Sequence, residues 1–307
     1  MTAPILAGFQ ALRADDAPVD FAAACARITG APLIIAAVAS AGTHESVGRP
    51  LLEEEATEAD HVGLDGLRRR MADEGIDAEI RVLHGHSAPR ALHDAAEEIG
   101  AGLLVIGSTT RGEAGRLAIG STAQRLMHGA PCPIAVVPHE WKPGGGLSTI
   151  GVAFVDAPEG HAALRAGAAI AKLTGGKLRV LSAAKPHGFS QAHGGGDATT
   201  HALTYEEIGS ALRADAERGV EAIAAEAGVP IEPDVSVGDP AEFLIGCSKH
   251  VDLLVCGSRG YGPRRAVLLG GVSGRVTAES HCPVIVLARG VDGALDPLLG
   301  ERTGATA

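Results

Sequence analysis

The chain repeats itself, and this constrains its fold more than any other feature of the sequence. Residues 103–108 (LLVIGS) return as 253–258 (LLVCGS), and 132–137 (CPIAVV) return as 282–287 (CPVIVL), both at a spacing of 150 residues. Residues 5–9 similarly match 150–154. Half of the 307 residues is the size of one compact domain. We therefore predict a tandem duplication, with domains at 1–141 and 147–290 and a loose tail at 291–307.

Short apolar runs alternate with helical patterns in both copies. The first copy predicts strands near 4–9, 32–39, 77–83, 102–107 and 133–137, and helices near 18–29, 51–74, 88–99 and 120–129. The second predicts strands near 149–155, 178–183, 230–237, 251–257 and 283–288, and helices near 159–174, 204–227, 240–249 and 270–280. The strands are apolar on both faces, which is typical of parallel strands covered on both sides. The pattern predicts an α/β fold of two doubly wound, Rossmann-like domains, each with a five-stranded parallel sheet, and leaves the strand order open.

Two glycine-rich segments interrupt this alternation. Residues 142–146 (KPGGG) cannot hold a helix or strand, so we predict a linker between the two copies there. Residues 186–196 predict a flexible loop inside the second copy.

The charge and composition of the chain narrow the class of partner. A net charge of −11 opposes binding to nucleic acid or to an anionic membrane, and aromatic residues make up only 3% of the chain, too few for a base-stacking surface. No apolar run reaches the roughly 18–20 residues of a membrane span. The five cysteines are scattered and form no C-x-x-C pair, which indicates reduced core thiols. We predict a cytoplasmic protein without a signal peptide.

A glycine loop follows the fourth strand of each copy. In the second copy Gly257 and Gly260 are followed, after nine residues, by Gly270 and Gly271. A glycine turn at the carboxyl end of a parallel strand, together with the free N–H groups of the next helix, can bind a phosphate. The candidate binding residues are Gly257, Arg259, Gly260, Gly270, Gly271 and Ser273, with Gly107, Gly120 and Ser121 as a weaker copy in the first half.

The local charge supports an anionic ligand. Residues 257–275 contain four arginines, among them Arg259 and Arg275, and no acid, although the chain as a whole is acidic. The competing interpretation is that these loops simply turn sharply and carry solvated arginines. Spacing alone does not separate the two.

The spacing of these glycines, followed by a short helix and a Cys-Pro strand, resembles the pattern of the universal stress protein family. The resemblance covers about 3–138 and 148–289, including the turns before the third helices at 85–88 and 238–241. It implies adenine nucleotide alpha hydrolase-like domains with strand order 3-2-1-4-5 and, for some members, ATP in the cleft between strands 1 and 4, so ATP, with Mg²⁺, is the candidate ligand. It also implies that domains pair through their last strands, here within the chain, and leaves a homodimer open.

Both copies depart from the nucleotide-binding members of that family. Those members carry an aspartate at the end of strand 1, where this chain has Gln10 and Val155, with Asp156 one residue late. The first copy has Thr110 in place of the second loop glycine, and the second has Gly271 where Ser or Thr would offer a hydroxyl. Nucleotide binding is therefore expected in the second copy if it occurs at all.

Histidines and aspartates offer further candidates that the sequence does not favour. No histidine pair has zinc-site spacing, including His84 with His86 and the group His187, His193 and His201, so we predict no metal site. Asp15, Asp16 and Asp156 could bind Mg²⁺ beside phosphates, but turn residues or helix caps are the favoured interpretation.

The sequence predicts a non-catalytic protein. It has no G-x-x-x-x-G-K-[S/T] motif and no placed nucleophile, base or metal cluster, so we assign no catalytic residue. The leading hypothesis is a regulator of the stress response that binds or senses a nucleotide. Two alternatives stay open: an adaptor with degenerate sites that binds protein partners, and a slow ATPase, which needs a Mg²⁺ carboxylate.

Overall fold

The fold is described from a computed structural model of the chain. The structure describes residues 2–10, 15–40, 52–85, 87–108, 121–127, 129–139, 141–144, 146–185, 198–257, 271–287 and 295–299. The strands are β1 Ile5–Phe9, β2 Leu33–Ser40, β3 Ala78–Gly85, β4 Leu103–Gly107, β5 Ile134–Val137, β6 Thr149–Ala153, β7 Lys177–Ala184, β8 Ile231–Val237, β9 Leu253–Cys256 and β10 Val284–Val286. The helices are α1 Ala17–Thr29, α2 Leu52–Asp73, α3 Ala88–Glu98, α4 Ser121–Leu126, α5 Pro158–Thr174, α6 Ala198–Ala227, α7 Pro240–Cys247, α8 Gly271–Glu279 and α9 Asp296–Leu299.

All ten described strands form one sheet, in the order β3-β2-β1-β4-β5-β10-β9-β6-β7-β8. Each half therefore has the order 3-2-1-4-5 that the family resemblance implies. Neighbouring strands within each half are parallel: Ile5 of β1 lies opposite Leu33 of β2, and Ile150 of β6 lies opposite Leu178 of β7. The halves join where β10 runs antiparallel to β5, with Val284 opposite Val136. The two domains thus pair through their last strands within one chain.

The same local signals shape the two halves. Helices α1 and α5 both end at a glycine in the left-handed region, Gly30 with φ of 71° and Gly175 with φ of 65°, where its N–H caps the last turn. Strands β5, β9 and β10, at and beside the junction of the two halves, are buried along their whole length, as expected of strands covered on both faces. One structural difference from the sequence prediction is that α6 begins at Ala198, six residues earlier than expected. Thr199 and Thr200 have low helix propensity and concealed that start.

Helices cover both faces of the sheet and create two apolar cores. One core includes buried residues of α1, α2, α5, α6 and α9, with Phe21 and Leu164 fully buried. The other lies under α3, α4, α7 and α8 and includes Met127 and Leu254. Both cores continue across the β5–β10 junction, so burial of apolar surface stabilises the pairing of the halves as well as each half.

The tail that the sequence predicted to be loose contains helix α9, and for its described residues, 295–299, that prediction was wrong. Leu295, Leu298 and Leu299 are buried in the core beside α1 and α5. The amide of Ala3 donates a hydrogen bond to the Pro297 carbonyl at 2.7 Å. Three leucines in five residues supply enough apolar surface to fix this turn, although the segment is too short to show periodicity.

Among the described helices, none is both long and apolar enough to cross a membrane. The Gly-rich linker has neither helix nor strand in the residues the structure describes, 141–144 and 146–148, as the sequence predicted.

Candidate functional site

The first glycine of each loop lies at the carboxyl edge of the sheet, tightly against a helix. Gly107 ends β4, and Gly257 follows β9 directly. A Cβ on Gly107 would lie 2.9 Å from Cγ of Pro18 in α1, and one on Gly257 would lie 2.8 Å from the carbonyl oxygen of Glu159 in α5. Glycine is thus required at both positions because strand 4 approaches the first helix of its half.

The second glycine pair leads to the start of α8, which is open. Gly271 is the first residue of α8, and a Cβ built on it meets no atom of the described residues within 4 Å. A helix that joins parallel strands runs antiparallel to them, so its N-terminal N–H groups lie at the same sheet edge as Gly257. Ser273, by contrast, is only 9% exposed and lies on the packed face of this helix.

Of the other predicted binding residues, the structure describes only some. Ser121 begins α4 in the first half, at the position that Gly271 holds in the second. Arg259, Gly260, Gly270 and Gly120 lie outside the described residues, as does Thr110.

The end of strand 1 in the second half shows how its aspartate is used. Val155 occupies the position where the family resemblance expects an aspartate, and it is 60% exposed. Asp156, the next residue, accepts a hydrogen bond from His161 Nε2 in α5 at 2.8 Å and lies 3.6 Å from Arg218 Nη2 in α6. These contacts, the one with His161 first, hold the pKa of Asp156 below its usual range. The carboxylate of Asp156 therefore already has partners on α5 and α6.

An ion cluster that the sequence analysis missed crosses the same edge of the second half. Asp239 caps α7 by accepting a hydrogen bond from the Glu242 amide, and its carboxylate lies 2.7 Å from Lys185 Nζ and 3.1 Å from Arg275 Nη1. The hydrogen bond from Lys185 is the main reason that the pKa of Asp239 falls to about 2. Asp-Pro before an apolar run signals a helix cap, but nothing local indicates its two cationic partners.

Arg275 corrects the local charge argument made from the sequence. No acid lies near it along the chain from 257 to 275, but the fold brings Asp239 to 3.1 Å and Glu242 to 3.9 Å, and Glu279 lies 3.8 Å away one turn further along α8. The described arginine of the loop region is therefore balanced by acids and adds no free positive charge.

The first half presents a less favourable edge for an anion. Gln10 is exposed at the end of β1. The Asp15 carboxylate accepts a hydrogen bond from the Ala17 amide at the start of α1, and its Oδ2 lies 3.7 Å from the position that a Gly107 Cβ would occupy. Asp16 instead pairs with Arg70 of α2 at 3.1 Å. The interpretation of these aspartates as turn and helix-start residues fits their contacts.

The described side chains offer neither a metal centre nor a reactive thiol. Within the described ranges, no group of three or more His, Cys, Asp or Glu residues could hold a metal ion. All five cysteines are buried, and burial raises the pKa of Cys25, Cys132 and Cys256 to about 12, so the thiolate form is scarce at neutral pH. His86, His187 and His193 lie outside the described residues.

Comparison with known proteins identifies the family of the chain. The model of the universal stress protein family matches residues 1–138 and again 147–288, once in each half. The chain belongs to the universal stress protein family. A Mycobacterium tuberculosis universal stress protein is 40% identical over 74 residues, which are 24% of this chain and about a quarter of that relative's length. A Mycolicibacterium smegmatis universal stress protein is 27% identical over 296 residues, covering 92% of this chain and 96% of its own.

Solved structures show the same tandem fold. A universal stress protein from Archaeoglobus fulgidus aligns with a TM-score of 0.65 at 20% identity, covering 94% of this chain and 98% of its own. A Pseudomonas aeruginosa protein described as functionally unknown aligns with a TM-score of 0.63 at 18% identity, covering 97% and 96%. At these identities the similarity establishes the fold of this universal stress protein and not its ligand.

Proposed function

We propose that this universal stress protein is a non-catalytic regulator whose second half binds a nucleotide, with ATP as the candidate ligand. The observation that carries the proposal is the start of α8. Its first residue is a glycine that no described residue crowds, at the sheet edge where the Gly257 loop begins. Four unpaired N–H groups and the positive end of the helix dipole together favour a phosphate at such a position.

The second half suits an anion better than the first. Helix α8 has nine residues, whereas α4 has six, so more aligned peptide dipoles contribute at the start of α8. In the first half the Asp15 carboxylate lies beside Gly107 and opposes a phosphate there. In the second half the described atoms nearest to the Gly257 position belong to the main chain and Cβ of Glu159.

Magnesium fits this edge poorly. Asp156 and Asp239, the aspartates described at this edge, each contact two basic side chains: His161 and Arg218 in the first case, Lys185 and Arg275 in the second. A carboxylate committed in this way would have to give up an ion pair before it could bind Mg²⁺. We therefore propose binding through the main chain, without a metal-dependent reaction.

Calorimetric titration of the full chain with ATP, with and without Mg²⁺, tests this proposal when two substitutions of Gly271 are compared. Both new side chains extend into open space. Gly271→Asp adds a negative charge at the start of α8, which favours the helix by about 0.3–1 kcal/mol but repels phosphate. We expect at least a tenfold loss of ATP affinity. Gly271→Ser is the matched control and should bind at least as well as the wild-type protein, because its hydroxyl can donate to phosphate.

The two variants separate lost binding from lost folding. Both should unfold at a temperature no lower than the wild type, because neither new side chain meets an atom within 4 Å. Equal ATP affinity of the two variants would contradict binding at α8. An absence of heat and of thermal stabilisation at millimolar ATP in the wild type would contradict nucleotide binding altogether.

A second candidate function is that of an adaptor, which binds partner proteins while its own two clefts hold no nucleotide. The exposed Val155 at the end of strand 1, in place of an aspartate, favours it. ATP titration that shows no binding, combined with release of no phosphate above the buffer control, would favour this candidate over both the sensor and the slow ATPase.

A further inference from the structure

A cavity of about 410 Å³ lies where the two domains join, at the sheet edge opposite the Gly257 loop of the second half. Its lining comes from the linker between β5 and β6, from the 3₁₀ turn Ser248–His250, and from the residues just before β9 and β10. The strands β5 and β10 are antiparallel, so the chain leaves the first domain beside the point where β10 begins. The cavity is therefore built jointly by the linker and the second domain.

Side-chain hydrogen bonds fix part of the wall of this junction cavity. Oδ2 of Asp252 accepts three of them, from the Ser148 amide at 2.9 Å, the Ser148 hydroxyl at 2.8 Å and the Thr149 amide at 2.9 Å. The buried Ser248 hydroxyl donates to the Ile245 carbonyl and accepts from the His281 amide at 2.9 Å. These bonds hold the cavity open without a ligand, so binding would cost little ordering of the chain.

Trp141 adds an aromatic surface to the same lining. Its ring packs edge-on against Phe21 of the first domain, with centroids 5.4 Å apart, and is partly buried. An aromatic ring in a polar cavity can contact the apolar body of a small organic molecule while charged groups hold its polar end.

The charge of the described lining is positive. Among the residues that the structure describes there, the basic side chains are Lys142, Lys249 and His281, and the acid is Asp252. All three basic groups are exposed, and neither lysine forms an ion pair with another described residue. Asp252 carries one negative charge against the two lysines, and its Oδ2 accepts three hydrogen bonds from Ser148 and Thr149. Burial first, and then the field of Lys249, lower the pKa of His281, so at neutral pH its ring is mainly uncharged and can offer an N–H while the lysines supply the positive charge.

We propose that the junction cavity binds a small organic anion bearing carboxylate or phosphate groups, held by Lys142, Lys249 and His281. The volume lies within the roughly 300–1,000 Å³ range of small-molecule sites. The positive lining stands out because the chain as a whole carries a net charge of −11. The site is separate from the proposed nucleotide cleft, since it lies at the amino ends of β9 and β10 rather than at the carboxyl end of β9.

Fluorescence of Trp141, the only tryptophan in the chain, tests the proposal directly. The full chain is titrated with inorganic phosphate, pyrophosphate and citrate, which distinguish phosphate from carboxylate ligands, and calorimetry is run in parallel. We expect saturable binding of at least one probe below 10 mM. Lys249→Gln and Lys142→Gln should each weaken that binding about fivefold or more, because each removes a positive charge from the lining.

Lys177→Gln is the matched control. It removes the same charge from an exposed lysine that pairs with Glu232 and does not line the cavity, so it should leave affinity unchanged. Gly271→Asp should also leave the Trp141 signal unchanged, which distinguishes this site from the proposed nucleotide cleft. Absence of saturation for all three probes in both measurements would overturn the proposal. An equal loss in Lys249→Gln and Lys177→Gln would do the same, since it would indicate binding to surface charge only.

Discussion

Substituting Gly257 by alanine tests what this glycine does in the unliganded protein. An ideal Cβ at this position lies 2.8 Å from the Glu159 carbonyl oxygen and 3.0 Å from the Glu159 Cβ. Carbon atoms normally stay farther apart than this, so the first turn of α5 would have to move by several tenths of an ångström. That turn is itself held tightly, because a Cβ on Gly160 would lie 1.9 Å from the Val155 carbonyl oxygen.

Such overpacking against main chain costs about 1–3 kcal/mol. We therefore expect Gly257→Ala to lower the free energy of unfolding by that amount in the absence of any nucleotide. In a domain of about 150–250 residues, each kcal/mol corresponds to a fall of about 2–4 °C in Tm. Thermal unfolding followed by circular dichroism, with urea unfolding as a second measurement, gives the difference.

Gly271→Ala is the matched control for this measurement. Its Cβ meets no atom within 4 Å, and it replaces glycine at a helix start, so we expect stability to stay the same or to rise by about 0.4–1 kcal/mol. If Gly257→Ala unfolded at the wild-type temperature while ATP binding was lost, the glycine would serve the ligand and not the approach of β9 to α5. That result would refute the reasoning.

Two further predictions concern the tail and the ion cluster. Leu298→Ala should lower the free energy of unfolding, measured in urea, by about 2–5 kcal/mol, because it removes from the core a side chain that is only 3% exposed. The control Val272→Ala changes a half-exposed side chain and should lower the free energy of unfolding by less than about 0.5 kcal/mol. Equal losses in the two variants would contradict a packed tail. Asp239→Asn keeps the helix cap but removes the charge, so it should lower Tm at pH 7. Because the pKa of Asp239 falls from 3.8 to about 2 on folding, the difference from wild type should shrink between about pH 4 and pH 2, and a constant difference would contradict the ion pairs.

The sequence predicted the fold closely because its signals are local and occur twice. Apolar runs marked every described strand to within a few residues, and the repeat of 150 residues divided the chain into two similar domains. The strand order could not come from the alternation of strands and helices, since several orders satisfy it. It came from the family resemblance and agrees with the sheet in the structure.

The site was predictable only where it is made of main chain. Gly257 and Gly271 could be placed from their spacing after the fourth strand, but the role of Gly257 depends on Glu159, 98 residues earlier in the chain. The contacts of Arg275 with Asp239 likewise join two helices that are distant in sequence. Spacing along the chain carries no information about such partners.

The sequence by itself determined the duplication, the α/β class and the positions of the glycine loops, because these follow from hydrophobic periodicity and backbone freedom among near neighbours. Only the tertiary structure decided which groups surround those loops, how β5 and β10 join the two domains, and that the linker and the 3₁₀ turn enclose a positively charged cavity. It also determined that the described part of the tail is packed, since its three leucines are buried only because α1 and α5 leave space for them. Those features depend on contacts between residues far apart in the chain, which form only once the sheet order is set.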